Sequence, residues 1–134
     1  FPAGRPLGLM IFVHGGYWLR FGRRDFSHLA QGACARDWAV ALPSYPLAPG
    51  ASIPEITQSV ALAIGQIANR IPGPIVLAGH SAGGHLVARM GQVDSGLSSE
   101  VRARIRSIVP ISPVADLRII CCQVNLKQTF LEER

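Results

Sequence analysis

Short apolar runs alternate along the chain with stretches in which apolar residues recur every three or four positions. Leu7 to Val13 reads LGLMIFV and stops at His14-Gly15-Gly16, the pattern of a buried strand. Phe26, Leu29, Ala30, Ala33 and Cys34 fall at helical spacing, predicting a helix over Phe26–Arg36. Trp38 to Leu42 (WAVAL) predicts a second buried strand, ended by Pro43 and followed by a proline-rich loop to Pro54. Pro54 suits a first helical turn, and Ile56, Val60, Ile64 and Ile67 continue the helix until Pro72-Gly73-Pro74. Ile75–Ala78 is a third strand and His85–Met90 reads as helix, the turn into it beginning near Gly83. A polar loop over Asp94–Ser99 and a short basic helix near Glu100–Arg104 lead to a fourth strand, Ser107–Ile111. The stretch from Asp116 to Arg134 has no clear period, with weak helical character over Phe130–Arg134.

Strand, helix, strand, helix, strand, helix, strand implies parallel strands joined by right-handed crossovers. The expected fold class is therefore α/β, a three-layer α/β/α sandwich around a mostly parallel sheet. The chain's 134 residues suit one domain, and no repeat or linker divides them. Hydrophobic residues at 49% and charged residues at 16% exclude a disordered chain and suit a sheet covered on both faces. The net charge of +5 comes almost wholly from scattered arginines. Two small groups, Arg20, Arg23, Arg24 and Arg102, Arg104, Arg106, read as solvated surface; neither is interleaved with aromatics as a single-strand binder requires, so no nucleic-acid partner is expected. The first group follows a glycine loop, where attraction of an anionic substrate is a second reading. Three cysteines, two adjacent (Cys121, Cys122), make a poor disulfide framework, and reduced thiols in a cytoplasmic protein are expected. No apolar stretch is long enough for a membrane span, and no spacing suggests a metal site.

The chemistry-bearing residues sit where strands end. Gly79-His80-Ser81-Ala82-Gly83 fits G-x-S-x-G between a strand and a helix. A strand that reverses into a helix so abruptly strains the backbone at the serine, and flanking glycines remove the Cβ atoms that would clash. The serine then stands exposed at the sheet edge, with a helix N-terminus favouring developing negative charge beside it. An ordinary glycine-rich turn has the same string. His14-Gly15-Gly16-Tyr17-Trp18, also at a strand end, can turn backbone N–H groups toward Ser81. With the Ala82 N–H they would make an oxyanion hole, each donor worth about 3 kcal/mol in the transition state. His14 reads as a structural residue of that loop; Tyr17 and Trp18 fit either core or pocket wall.

These segments, with Ser44-Tyr45-Pro46-Leu47-Ala48-Pro49-Gly50, resemble the α/β-hydrolase esterases, in particular the kynurenine formamidase type with its H-G-G-x-W signature. Ile111 to Arg118 (ISPVADLR) extends the resemblance, which covers about Gly8 to Arg118. It implies Ser81 as nucleophile, Gly16, Tyr17 and Ala82 as oxyanion donors, and His14, Gly15, Trp18, Gly79 and Gly83 as supporting motif positions. It also implies that the Leu9–Val13 strand lies between Trp38–Leu42 and Ile75–Ala78. The expected reaction is cleavage of a small carboxylic ester or aryl-formamide through an acyl-enzyme, without cofactor or metal.

The family's triad continues with an acid and then a histidine. Of His14, His28, His80 and His85, only His85 follows Ser81, on the same helix at a non-catalytic position of the family. Asp116 is the best local acid, though a structural role in its loop suits it better; Asp94, Glu100, Glu132 and Glu133 have less to recommend them. The expectation is a partial domain that lacks the C-terminal strands carrying the acid and the histidine and has little activity alone. Its Ser107–Ile111 edge would invite self-association into a homo-oligomer. Two other readings stand beside this one: a non-catalytic homologue serving as a binding module, and a nucleotide-binding domain, disfavoured because Gly79–Gly84 lacks the G-x-G-x-x-G order.

Overall fold

The computed structural model describes residues 1–117. Arg118, Cys121, Cys122, Glu132, Glu133 and the helical tendency over 130–134 lie outside the described residues. Four strands, β1 (Gly8–Val13), β2 (Trp38–Ala41), β3 (Ile75–His80) and β4 (Ile105–Ile111), form one sheet in the order β2-β1-β3-β4, every pair parallel. The helices are α1 (Ala30–Cys34), α2 (Ile53–Ala68), α3 (Ala82–Arg89) and α4 (Ser99–Arg104). The strand order is the one that the resemblance implied, with β1 central beside β3.

Register decides what each face buries. Leu9 pairs with Ile75 and Ile11 with Leu77, so these four side chains share one face and are 0–1% exposed. They join Ile53, Ile56, Val60 and Ile64 of α2 and Leu86, Val87 and Met90 of α3 in a single core. The opposite face carries Met10, Phe12 and Ala78, covered by Phe26 and Leu29. A hollow of about 310 Å³ remains there, lined also by His80 and Ile111 and open to solvent.

Helix boundaries follow local chemistry. The Ser52 hydroxyl accepts from the Glu55 N–H while the Glu55 carboxylate accepts from the Ser52 N–H at 2.8 Å, a reciprocal cap that starts α2 one residue before Pro54. At the other end Arg104 donates to the carbonyl of Ala68 (2.8 Å), one that the last turn of a helix leaves unpaired, and to those of Gly73 (2.8 Å) and Ile71 in the loop that follows. Arg102 similarly donates to the Val93 carbonyl at 2.7 Å. Solvated surface is therefore the wrong description for these two arginines; they brace loops through half-buried guanidinium groups.

The predicted Phe26–Arg36 helix also needs correction. Residues Arg23–Leu29 form a 3₁₀ helix, and only Ala30–Cys34 is α-helical. Asp25 accepts from the Gly22 N–H at 2.8 Å and starts the tighter coil three residues earlier than periodicity indicates. No helix among the described residues is long and apolar enough to cross a membrane.

Candidate active site

Strand β3 turns into α3 at a single residue, Ser81, with φ 53° and ψ −116°. A non-glycine residue held there stores about 1–3 kcal/mol of strain, so the surroundings must hold it. Three backbone bonds do. The Ser81 N–H donates to the Ile111 carbonyl at 3.0 Å, and its carbonyl accepts from His85 (3.1 Å) and Val114 (3.3 Å). The end of β4 and the loop that follows it thus secure the turn after β3, which requires that the two strands be neighbours. The turn is closed tightly: a Cβ on Gly79 would lie 2.3 Å from the Gly83 carbonyl oxygen, and one on Gly83 would lie 2.0 Å from that of Val13. Ser81 is partly exposed, and its hydroxyl makes no cap bond to α3. Ala82 is the first residue of α3, so its N–H is one of the four that the helix cannot pair internally.

The second glycine bend lies beside this turn. A Cβ placed on Gly15 would sit 3.2 Å from Ser81 Cβ and 2.9 Å from the His80 carbonyl oxygen. Beyond it Gly16 (φ 114°), Tyr17 (φ 53°) and Trp18 (φ 59°) take left-handed conformations in succession, closed by the Leu19 N–H donating to the Gly16 carbonyl at 3.0 Å. Trp18 anchors this strained curl. It is fully buried and packs edge-on against His85, with ring centroids 5.5 Å apart. Its place is therefore the core, whereas Tyr17 is 48% exposed.

His14 is 2% exposed, its ring between Tyr45 (4.3 Å) and Phe26 (5.7 Å) in near-parallel stacks. Its Nδ1 bonds the Gly15 carbonyl oxygen at 2.8 Å. A carbonyl only accepts, so the proton sits on Nδ1. Burial lowers the His14 pKa, against the opposing pull of the Gly15 carbonyl and the Asp25 carboxylate. His14 is thus a neutral ring tied to its own loop. His85, one turn along α3, carries the Trp18 contact, and His80 is exposed at the rim. Asp116 is partly buried on the loop that reaches Ser81 through Val114. Arg20, Arg23 and Arg24 are exposed beyond the glycine loop, and the Arg20 guanidinium lies 5.3 Å from the centre of the Phe21 ring.

Sequence reasoning gave no role to Tyr45, although it quoted the segment around it. Tyr45 is 6% exposed and its hydroxyl donates to the His14 carbonyl at 2.9 Å. No periodicity signals such a contact across 31 residues.

Comparison with known proteins agrees with this fold. The model of the Alpha/beta hydrolase family matches residues 10–130. A kynurenine formamidase of Danio rerio is 30% identical over 130 residues, 93% of this chain and 43% of the relative. An esterase of Gibberella moniliformis is 31% identical over 118 residues, 82% of this chain and 36% of the relative. A crystal structure from Silicibacter sp. TM1040, provisionally named a thioesterase, superposes with a TM-score of 0.91 at 53% identity, covering 96% of this chain and 48% of that one. The chain spans less than half the length of each of these relatives.

Proposed function

The chain belongs to the alpha/beta hydrolase family, and on that premise we propose that it carries the nucleophile half of a serine hydrolase acting on small carboxylic esters or aryl-formamides. The observation that carries this reading is the contact of the two bends, Gly15 against a strained Ser81 at the β3–α3 junction. Relatives named esterase and kynurenine formamidase support the substrate class.

The Ser81 hydroxyl attacks the substrate carbonyl, and the N–H groups of Gly16, Tyr17 and Ala82 receive the negative oxygen. Collapse expels the alcohol or amine and leaves an acyl-enzyme, which water cleaves. A base must take the serine proton. His14 is unsuited to it, because its ring is buried in a stack with Tyr45 and Phe26. We assign the base and its acid to the part of the domain that the longer relatives carry beyond the matched stretch.

The test joins residues 1–117 to the complementary part of the Silicibacter protein and measures p-nitrophenyl ester and aryl-formamide turnover. Activity abolished by Ser81→Ala is expected, with little turnover by the 134-residue chain alone. A folded hybrid that turns over neither substrate, or whose Ser81→Ala variant keeps its activity, would leave the chain as a non-catalytic binding module.

A further inference from the structure

We propose that Tyr45 is a positioning residue for the oxyanion loop, orienting the amides beside Ser81 through His14. This rests on the reading that the glycine loop serves Ser81. Gly15 and Gly16 give the loop a backbone that can flip its peptides at little steric cost. A loop so free would spend much of its time with N–H groups turned away from the reacting oxygen, so something must fix the peptide planes.

A carbonyl and the N–H that follows it lie in one rigid plane and point in opposite directions. Holding one therefore aims the other. The Tyr45 hydroxyl holds the His14 carbonyl at 2.9 Å and so aims the Gly15 N–H. The His14 Nδ1–H holds the Gly15 carbonyl at 2.8 Å and so aims the Gly16 N–H, one of the proposed oxyanion donors. Tyr45 supports this second bond as well, because its ring stacks on the imidazole at 4.3 Å with 13° between planes. Burial pushes the Tyr45 phenol well above its usual range, so the hydroxyl remains a donor.

Two further bonds from the same segment brace the loop. The Ala48 N–H donates to the Trp18 carbonyl at 2.8 Å, and the Ser44 hydroxyl accepts from the Arg23 N–H at 3.1 Å. The segment after β2 thus grips residues 14–23 at three points. Tyr45 is the one that reaches the glycines.

The experiment compares the ¹⁵N-labelled 134-residue chain with Tyr45→Phe, which keeps the ring, and Tyr45→Leu, which removes it. In Tyr45→Phe the Gly15 and Gly16 amide resonances move and broaden, the His14 ring stays protonated on Nδ1, and β2 and α2 resonances hold as a check of the fold. Tyr45→Leu also loses the single His14 tautomer. Should that variant unfold, Tyr45→Phe decides alone. Unchanged glycine amides in Tyr45→Phe overturn the proposal. A second readout, in the hybrid with the complementary part of the Silicibacter protein that supplies the base, is Ser81 phosphonylation by a fluorophosphonate. Its saturating rate falls about tenfold in Tyr45→Phe while the half-saturating probe concentration stays constant; an equal rate overturns the proposal. Absence of labelling in the unsubstituted hybrid counts against the nucleophile reading of Ser81, while the glycine resonances still decide the role of Tyr45.

Discussion

Alanine substitution of two glycines, each on a helix, should have opposite effects. In Gly83→Ala the new methyl would lie 2.0 Å from the Val13 carbonyl oxygen and 2.4 Å from that of His14. A carbon atom keeps about 3.4 Å from such an oxygen. Helix α3 would have to retreat from β1 by roughly 1.4 Å, and no side chain can swing aside, because both obstacles are backbone. Overpacking of this kind costs about 3 kcal/mol. Better helix propensity returns about 1 kcal/mol, leaving a net loss of about 2 kcal/mol. In Gly65→Ala, on α2, the methyl meets nothing within 4 Å. Only the propensity gain remains there, about 0.5–1 kcal/mol. Thermal denaturation should show Gly83→Ala melting roughly 6–10 °C lower and Gly65→Ala roughly 2–4 °C higher. A Gly83→Ala chain that melts at or above the original would refute the argument that close approach of α3 to β1 dictates glycine here. The retreat would also separate Ser81 from the Gly15 bend, so any rate of Ser81 labelling should fall with the melting point.

Two further outcomes are expected. Ser81→Gly should raise the melting temperature, because glycine adopts φ 53° without the roughly 1–2 kcal/mol that serine incurs, while fluorophosphonate labelling of the hybrid disappears. His14 should make stability fall in mild acid. Its folded pKa lies below the unfolded value of about 6.5, so between those two values the unfolded chain binds the extra proton. Stability is then complete above about pH 6.5 and declines as pH drops toward the folded pKa. Urea midpoints from pH 7 to pH 5 should show this slope, and His14→Asn should flatten it; an equal slope in both chains would contradict it.

Much of this molecule could be read from one dimension. Runs such as LGLMIFV and IVLA are apolar because a parallel strand is covered on both faces, so all four strands and their parallel sense were legible. The α2 boundaries were nearly so, through Pro54 and the 3.6-residue period of Ile56, Val60 and Ile64. Ser81 and its glycines were legible because an abrupt strand-to-helix turn tolerates few residue types. The 3₁₀ coil over Arg23–Leu29 was harder, since its apolar residues Phe26 and Leu29, three positions apart, suit a period of 3.0 as well as one of 3.6.

What local pattern could not supply was any contact whose two ends lie far apart in the chain. Arg104 looks like surface charge until the fold brings the end of α2 to it, 36 residues away. Trp18 fits core and pocket wall equally until α3 and the loop after β2 meet it. Tyr45 has no local reason to be tyrosine; its hydroxyl has a purpose only because β2 lies beside β1 and carries the following loop over His14. Periodicity reports which side of an element faces inward, and motifs report where backbone must bend. Which two bends meet depends on strand order, and only the packed sheet, with β1 between β2 and β3, sets Gly15 against Ser81.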